Sequence, residues 1–136
     1  MVSYLGSRRS RPPWWDDDEW ASSQKVNAEV LPHYHAAKVD ADEHLAALAR
    51  RRHDGFQAIC LRPGNLTDDA ATGRVSLGHT RARGKVSRAD VADVAARLLE
   101  RDDTRGWDDL LGGDEEVDEA VERVVREKID CIEGES

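Results

Sequence analysis

The sequence predicts an α/β fold in which a parallel sheet is flanked by helices. Three observations carry this. Residues 56–61, apolar at Phe56, Ala58, Ile59, Cys60 and Leu61, form a short run closed by Gly55 and Pro63. Such a run marks a strand buried on both faces of a parallel sheet. Segments with helical spacing precede it and follow it. Strand-like and helix-like stretches then alternate to the end of the chain, and βαβ alternation implies a parallel sheet with helices on its faces.

The elements follow in order. Residues 1–5 read as a strand already in progress, because no polar lead-in precedes them. Residues 6–24 are rich in Gly, Ser, Arg, Pro, Trp and Asp and read as a long loop. The insertion at 7–24 carries Trp14, Trp15 and Trp20. Three indoles in one loop need burial, against this domain or against a partner. Val26, Val30, Tyr34, Ala37, Ala41, Leu45 and Leu48 then recur at steps of three or four, which is helical. Pro32 suits the first turn of a new helix, and Arg50-Arg51-Arg52 suits a C-terminus.

After the buried strand, Arg74-Val75-Ser76-Leu77 reads as a minor strand. Ser87-Arg88-Ala89-Asp90 has the form of a capping box. Behind it, Val91, Val94, Ala95, Leu98 and Leu99 make an apolar helical stripe. Residues 107–111 form a candidate third strand, Gly112-Gly113-Asp114 a turn, and Val117, Val121, Val124 and Val125 a last helix.

A chain of 136 residues is one domain or part of one. With 39% hydrophobic and 35% charged residues, it has a modest core or forms a layer that expects a neighbour. The net charge of −8 argues against nucleic acid as the main partner. The run Arg8-Arg9-Ser10-Arg11 is short and reads as a solvated loop rather than a phosphate site. Asp16-Asp17-Asp18-Glu19 likewise reads as a solvated acidic turn. No apolar run is long enough to span a membrane, and the N-terminus has no signal-peptide core. Cys60 sits in the strand-like run, so a buried free thiol in a reduced, cytoplasmic setting is expected.

The candidate chemistry begins with Leu31-Pro32-His33-Tyr34-His35-Ala36-Ala37-Lys38. Residues four apart on a helix share a face, so Tyr34 and Lys38 lie together. An ammonium near a phenol favours the phenolate, and such a phenol exchanges a proton with a carbonyl oxygen. The same spacing also occurs by chance on a helix surface. Ser3, at the end of the first strand, is placed either to hold a substrate carbonyl or to cap its own loop. Arg62-Pro63-Gly64 follows the C-terminal end of the buried strand, where ligands collect in open α/β sheets. Pro63 forces Arg62 to be extended, and Gly64 lets backbone approach a ligand. His33 and His35 point to different faces and make a poor metal pair. Arg81-Ala82-Arg83, between Gly78 and Gly84, is either a mobile surface loop or a contact for a cofactor phosphate.

Taken together, these motifs resemble a known family. Tyr34 and Lys38, Ala41-Asp42-Glu43-His44-Leu45 and Leu61-Arg62-Pro63-Gly64-Asn65-Leu66-Thr67-Asp68 resemble the short-chain dehydrogenase/reductase superfamily. Gly73-Arg74-Val75, Gly84-Lys85-Val86-Ser87-Arg88-Ala89-Asp90-Val91-Ala92 and Leu98-Leu99 are similar to its atypical, NmrA-like branch of fungal type. The resemblance implies the C-terminal half of a Rossmann-like fold that binds NAD or NADP. It implies carbonyl reduction by hydride transfer, with Tyr34 as acid/base, Lys38 as its modulator and ribose contact, and Ser3 as carbonyl holder. Arg62, Pro63 and Gly64 then lie beside the cofactor. The family's Gly-x-x-Gly-x-x-Gly has no counterpart in this sequence. Either a truncated gene model or a genuinely split or shortened product, weak or inactive alone, is therefore expected. An exposed sheet edge prone to self-association goes with it. The other reading is a non-catalytic dinucleotide-sensing or protein-interaction module of the same fold, supported by the Trp-rich loop. The substrate, a small molecule, is unspecified.

Overall fold

The computed structural model describes residues 1–52 and 55–135. The first helices are α1 (Asp17–Glu29) and α2 (Pro32–Arg51). Strands β1 (Ile59–Pro63), β2 (Asn65–Thr67), β3 (Arg74–Gly78) and β4 (Lys85–Ser87) come next. Helix α3 (Arg88–Leu99), strands β5 (Gly106–Gly112) and β6 (Glu115–Glu116), and helix α4 (Val117–Arg126) complete the chain. The main sheet has the order β1-β5-β3-β6, and β2 pairs with β4 alongside it.

The sheet is mixed. β1 and β5 are parallel, with Cys60 opposite Trp107 and Arg62 opposite Asp109. β3 runs antiparallel to both β5 and β6. The chain reaches β3 from β1 without a helix, and only a crossover would return it in the parallel sense. β3 is also no minor strand: Val75 and Leu77 are fully buried in the main core.

Residues 1–5 do run along β1. Val2 pairs with Leu61 in the parallel sense. Ser3 N donates to Leu61 O at 2.7 Å, Leu61 N to Met1 O at 3.0 Å, and Leu5 N to Pro63 O at 2.9 Å. On the outer edge of this segment the Val2 carbonyl is taken up by Lys38 Nζ at 3.2 Å.

Strand alternation divides the core between the two sheet faces. Leu61, Val75, Leu77 and Leu110 face α3 and α4, which bury Val94, Leu98, Val117, Ala120, Val121 and Val124. In α4 the buried positions recur at one-turn intervals, so a single apolar stripe is spent on the sheet. Cys60 and Trp107 face the other way, against Ala46 of α2 and Cys131. Burial pushes the Cys60 thiol up to about 12, so it packs as an apolar group.

Two loop expectations change. α1 occupies the second half of the segment read as loop. Asp16 caps it by accepting from Glu19 N at 2.7 Å, while Glu19 accepts from Asp16 N at 3.0 Å. The acidic run is thus a capping box with its charges in the first turn, where the helix dipole favours them. Of the three indoles, Trp15 is buried on this chain and Trp14 and Trp20 are partly buried. Trp15 is 1% exposed, donates to Thr80 O at 2.8 Å and packs with Leu5 and Leu111. Trp14 stacks on His79 at 4.0 Å.

Arg8, read as solvated, is buried. Its guanidinium lies 4.5 Å from the Trp15 ring centre and pairs with Asp109 at 2.9 and 3.2 Å. The Ser87 cap also differs in detail. Ser87 Oγ accepts from Asp90 N, but the Asp90 carboxylate turns to Thr72 N and Gly73 N instead of closing the box.

Candidate functional site

The C-terminal end of β1 is where the site forms. Pro63 has no N–H, and its carbonyl is held by Leu5. At Gly64 the chain turns into β2, with Gly64 N on Leu110 O and Asn65 N on Gly84 O, each at 3.0 Å. A Cβ on Gly64 would stand 2.6 Å from the Gly84 carbonyl oxygen. Gly84 has φ +151°, a backbone region that side chains rarely adopt. The two glycines therefore allow a close backbone corner that forms one wall of a cleft of about 580 Å³.

Ser3, Tyr34, Pro63 and Gly64 all line this cleft. Ser3 reaches it from the strand along β1 and Tyr34 from α2, where its ring lies 5.0 Å from that of Tyr4. Val26, Asn27 and Leu31, around the corner between α1 and α2, close it on the helical side. Ser3 is 3% exposed, and its Oγ has no hydrogen-bond partner among the described residues. A buried hydroxyl left open is costly, unless a ligand completes it. Tyr34 is half-exposed.

Lys38 shares the Tyr34 face of α2, as the spacing requires. Its ammonium lies 5.5 Å from the Tyr34 ring centre and is anchored on Val2 O. Lys38 does not itself line the cleft.

The structure sends Arg62 elsewhere. It is 0% exposed and turned away from the cleft. Its Nε donates to Asp42 Oδ2 at 3.0 Å, and its two terminal nitrogens donate to Glu135 at 2.7 and 3.1 Å. Strand alternation explains this: Pro63 and Gly64 stand at the strand exit, whereas Arg62 points to the α2 face.

Sequence reasoning missed Tyr4. It lines the cleft, its ring centre is 5.0 Å from that of Tyr34, and its hydroxyl donates to Asn27 Oδ1 at 2.7 Å. The same oxygen is 2.8 Å from His35 Nδ1. With the phenol proton given to Asn27, His35 is assigned the Nδ1–H form that donates to Tyr4. Burial pushes the Tyr4 phenol up, helped by Tyr34 and Asp42, and pushes the His35 imidazole down. This neutral trio fixes the corner of α1 and α2 over the cleft. Its only signal in the sequence was adjacency to Ser3. The Arg81-Ala82-Arg83 loop is anchored as well: Ala82 N donates to Glu19 Oε1 at 3.2 Å, and Ala82 packs near Trp15.

Comparison with known proteins agrees with this architecture. Residues 1–102 match the NAD(P)H-binding family. The uncharacterized sugar epimerase YhfK of Bacillus subtilis is 36% identical over 97 residues, covering 71% of this chain and 42% of the relative. A UPF0659 protein of Schizosaccharomyces pombe is 30% identical, covering 68% of this chain and 36% of its own length. Among solved structures, the oxidoreductase ylbE of Lactococcus lactis superposes with a TM-score of 0.66 at 21% identity. It covers 92% of this chain and 50% of that one. A Bacillus halodurans protein whose name places it with the NAD-dependent epimerase/dehydratases gives 0.64 at 27% identity, covering 90% and 50%. The chain thus spans half or less of the length of these relatives.

Proposed function

The chain belongs to the NAD(P)H-binding family, and from that premise we propose that its cleft is the substrate side of a nicotinamide-dependent oxidoreductase of the short-chain dehydrogenase/reductase type. The observation that carries this reading is the meeting of Ser3, Tyr34, Pro63 and Gly64 in one cleft. The Tyr34 hydroxyl gives a proton to, or takes one from, the oxygen of a substrate carbonyl or alcohol. Ser3 Oγ, buried and unpartnered among the described residues, supplies the hydroxyl that holds that oxygen. Lys38 keeps positive charge over the Tyr34 ring, and a ribose contact would require its ammonium to leave Val2 O.

The nicotinamide end of NAD or NADP fits the residues present. Gly64 offers bare backbone at the cleft wall, and Ser3 offers an unused hydroxyl. When bound, the dinucleotide supplies or accepts the hydride. Its diphosphate is a different matter. That group is held by a glycine-rich turn at a helix N-terminus, and no Gly-x-x-Gly-x-x-Gly occurs in this sequence. Affinity for NAD(P)H from these 136 residues is therefore weak.

Relatives named as a sugar epimerase and an oxidoreductase support carbonyl–alcohol redox chemistry as the common step. The motifs after Gly73, which resemble the NmrA-like, fungal-type branch, support assigning the chain to that branch. For the interaction-module reading, Trp15 offers no surface because it is buried, while Trp14 and Trp20 are partly buried against the same cluster. Tyr34→Phe is expected to lower NAD(P)H-dependent reduction of small aldehydes and ketones by about 100-fold and to leave dinucleotide affinity unchanged. Unchanged turnover would rule out Tyr34 as the acid.

A further inference from the structure

Acidic residues number 28 in this chain of 136. Among the described residues, however, no Asp or Glu lines the 580 Å³ cleft, while Arg83 and Arg88 both do. In a protein of net charge −8, that is a local reversal of sign. The two cations are also available. Arg83 is exposed and, among the described residues, makes no ion pair or side-chain hydrogen bond. Arg88 pairs with Asp68 at 2.7 Å, with side chains 57% and 90% exposed. Such an exposed pair is held weakly, and Arg88 can share its guanidinium with another anion.

The hydrogen bonds order the cleft from end to end. Residues 3–5 lie along β1 up to Pro63, Gly64 follows, and Asn65 is tied to Gly84, the neighbour of Arg83. One end thus carries Ser3 and, beside Tyr4, Tyr34, and the other presents Arg83. Leu31 and Leu66 line the space as apolar surface.

We propose that the Arg83 end of this cleft, with Arg88 in support, receives an anionic group of the substrate, a carboxylate or a phosphate, while the Ser3 and Tyr34 end holds the carbonyl. The inference rests on the cleft being the substrate side. A guanidinium donates two parallel hydrogen bonds to either anion. Neutral carbonyl compounds of the same size lack that contact.

The test is binding, followed by amide NMR on the full chain without dinucleotide. The probes are dihydroxyacetone phosphate, hydroxypyruvate and neutral dihydroxyacetone, which share a hydroxyketone and differ in charge. At least one of the two anions is expected to bind about ten-fold or more tighter than dihydroxyacetone, with shifts at Gly64, Asn65 and Gly84. Comparing the two anions tells phosphate from carboxylate. Arg83→Ala, at an exposed side chain with no partner to lose, is expected to erase the preference. Equal affinity for all three probes, or a preference that survives Arg83→Ala, would overturn the proposal. Failure of the carbonyl assignment shows separately. The anion preference would then stand, while Ser3→Ala and Tyr34→Phe leave the affinity for every probe unchanged.

Discussion

Replacing Arg62 by Ala separates a structural role from a cofactor role. In the folded chain the guanidinium is buried against Asp42, Glu135 and the Cys131 carbonyl. Among the described residues, removing it leaves the Asp42 carboxylate, 4% exposed, with Ser7 Oγ at 3.2 Å as its hydrogen-bond partner. Asp42 Oδ1 already has no partner. Glu135, 14% exposed and 3.6 Å from Arg8 Nε, loses less because water and Arg8 remain. Stranding one buried charge of such a pair costs about 3–5 kcal/mol. Against the roughly 5–15 kcal/mol of a typical domain, that is at least about a fifth of the total. Urea unfolding followed by tryptophan fluorescence reads it, since Trp15 and Trp107 are buried. Arg62→Lys, which keeps the charge but loses the fork geometry, is expected to fall between wild type and Ala. Arg62→Met combined with Asp42→Leu is expected to recover most of the loss, because the most deeply buried carboxylate is then no longer stranded, while Glu135 keeps water and Arg8. A loss below about 1 kcal/mol for Arg62→Ala, the range of an exposed pair, would refute the reasoning.

Two further outcomes test the packing. The Asp108 carboxyl is pushed up to about 7 by burial, with Asp130 and Asp109 adding repulsion. The folded state therefore holds its proton more tightly than the unfolded state. This site's contribution to stability is full below the ordinary carboxylate range and falls as pH rises from about 4 to about 7, by roughly 4 kcal/mol in all. Asp108→Asn is expected to flatten that part of the stability–pH curve, measured by denaturation across pH; an unchanged slope would contradict it. Gly64→Ala is expected to cost about 1–3 kcal/mol through its clash with the Gly84 carbonyl. It should also shift the amides of Asn65 and Gly84 in NMR spectra. A silent substitution would mean the β1–β2 corner is looser than described.

The helices and the central strands were readable where one apolar period dominated. Val117, Val121 and Val124 mark α4, and the apolar run ending at Leu61 marks β1, because burial of a single face or of both faces leaves a plain pattern. α1 was masked by its Trp- and Asp-rich composition, although Asp16 and Glu19 carry a capping signal that was available. The direction of β3 was hidden because strand polarity depends on partners far along the chain. Arg8 and Arg62 defeated the sequence reading for one shared reason. Charged residues are buried only when paired, and the partners Asp109, Asp42 and Glu135 lie 20 to 101 positions away. Ser3, Tyr34, Pro63 and Gly64 were legible because short motifs positioned them at the strand end and on a helix face. Tyr4 and His35 were not, since their contact depends on how α2 crosses the first strand.

The most direct test of the cleft as the nicotinamide site is an NADH titration of this chain by amide NMR, run alongside nicotinamide fluorescence. The expected result is weak binding, with half-saturation far above the micromolar range and toward about 1 mM, and with shifts gathered at Ser3, Tyr34, Gly64 and Asn65. Shifts that gather elsewhere on the chain would contradict the site. Tight binding at micromolar NADH would contradict the claim that these residues hold the nicotinamide end without a cradle for the diphosphate.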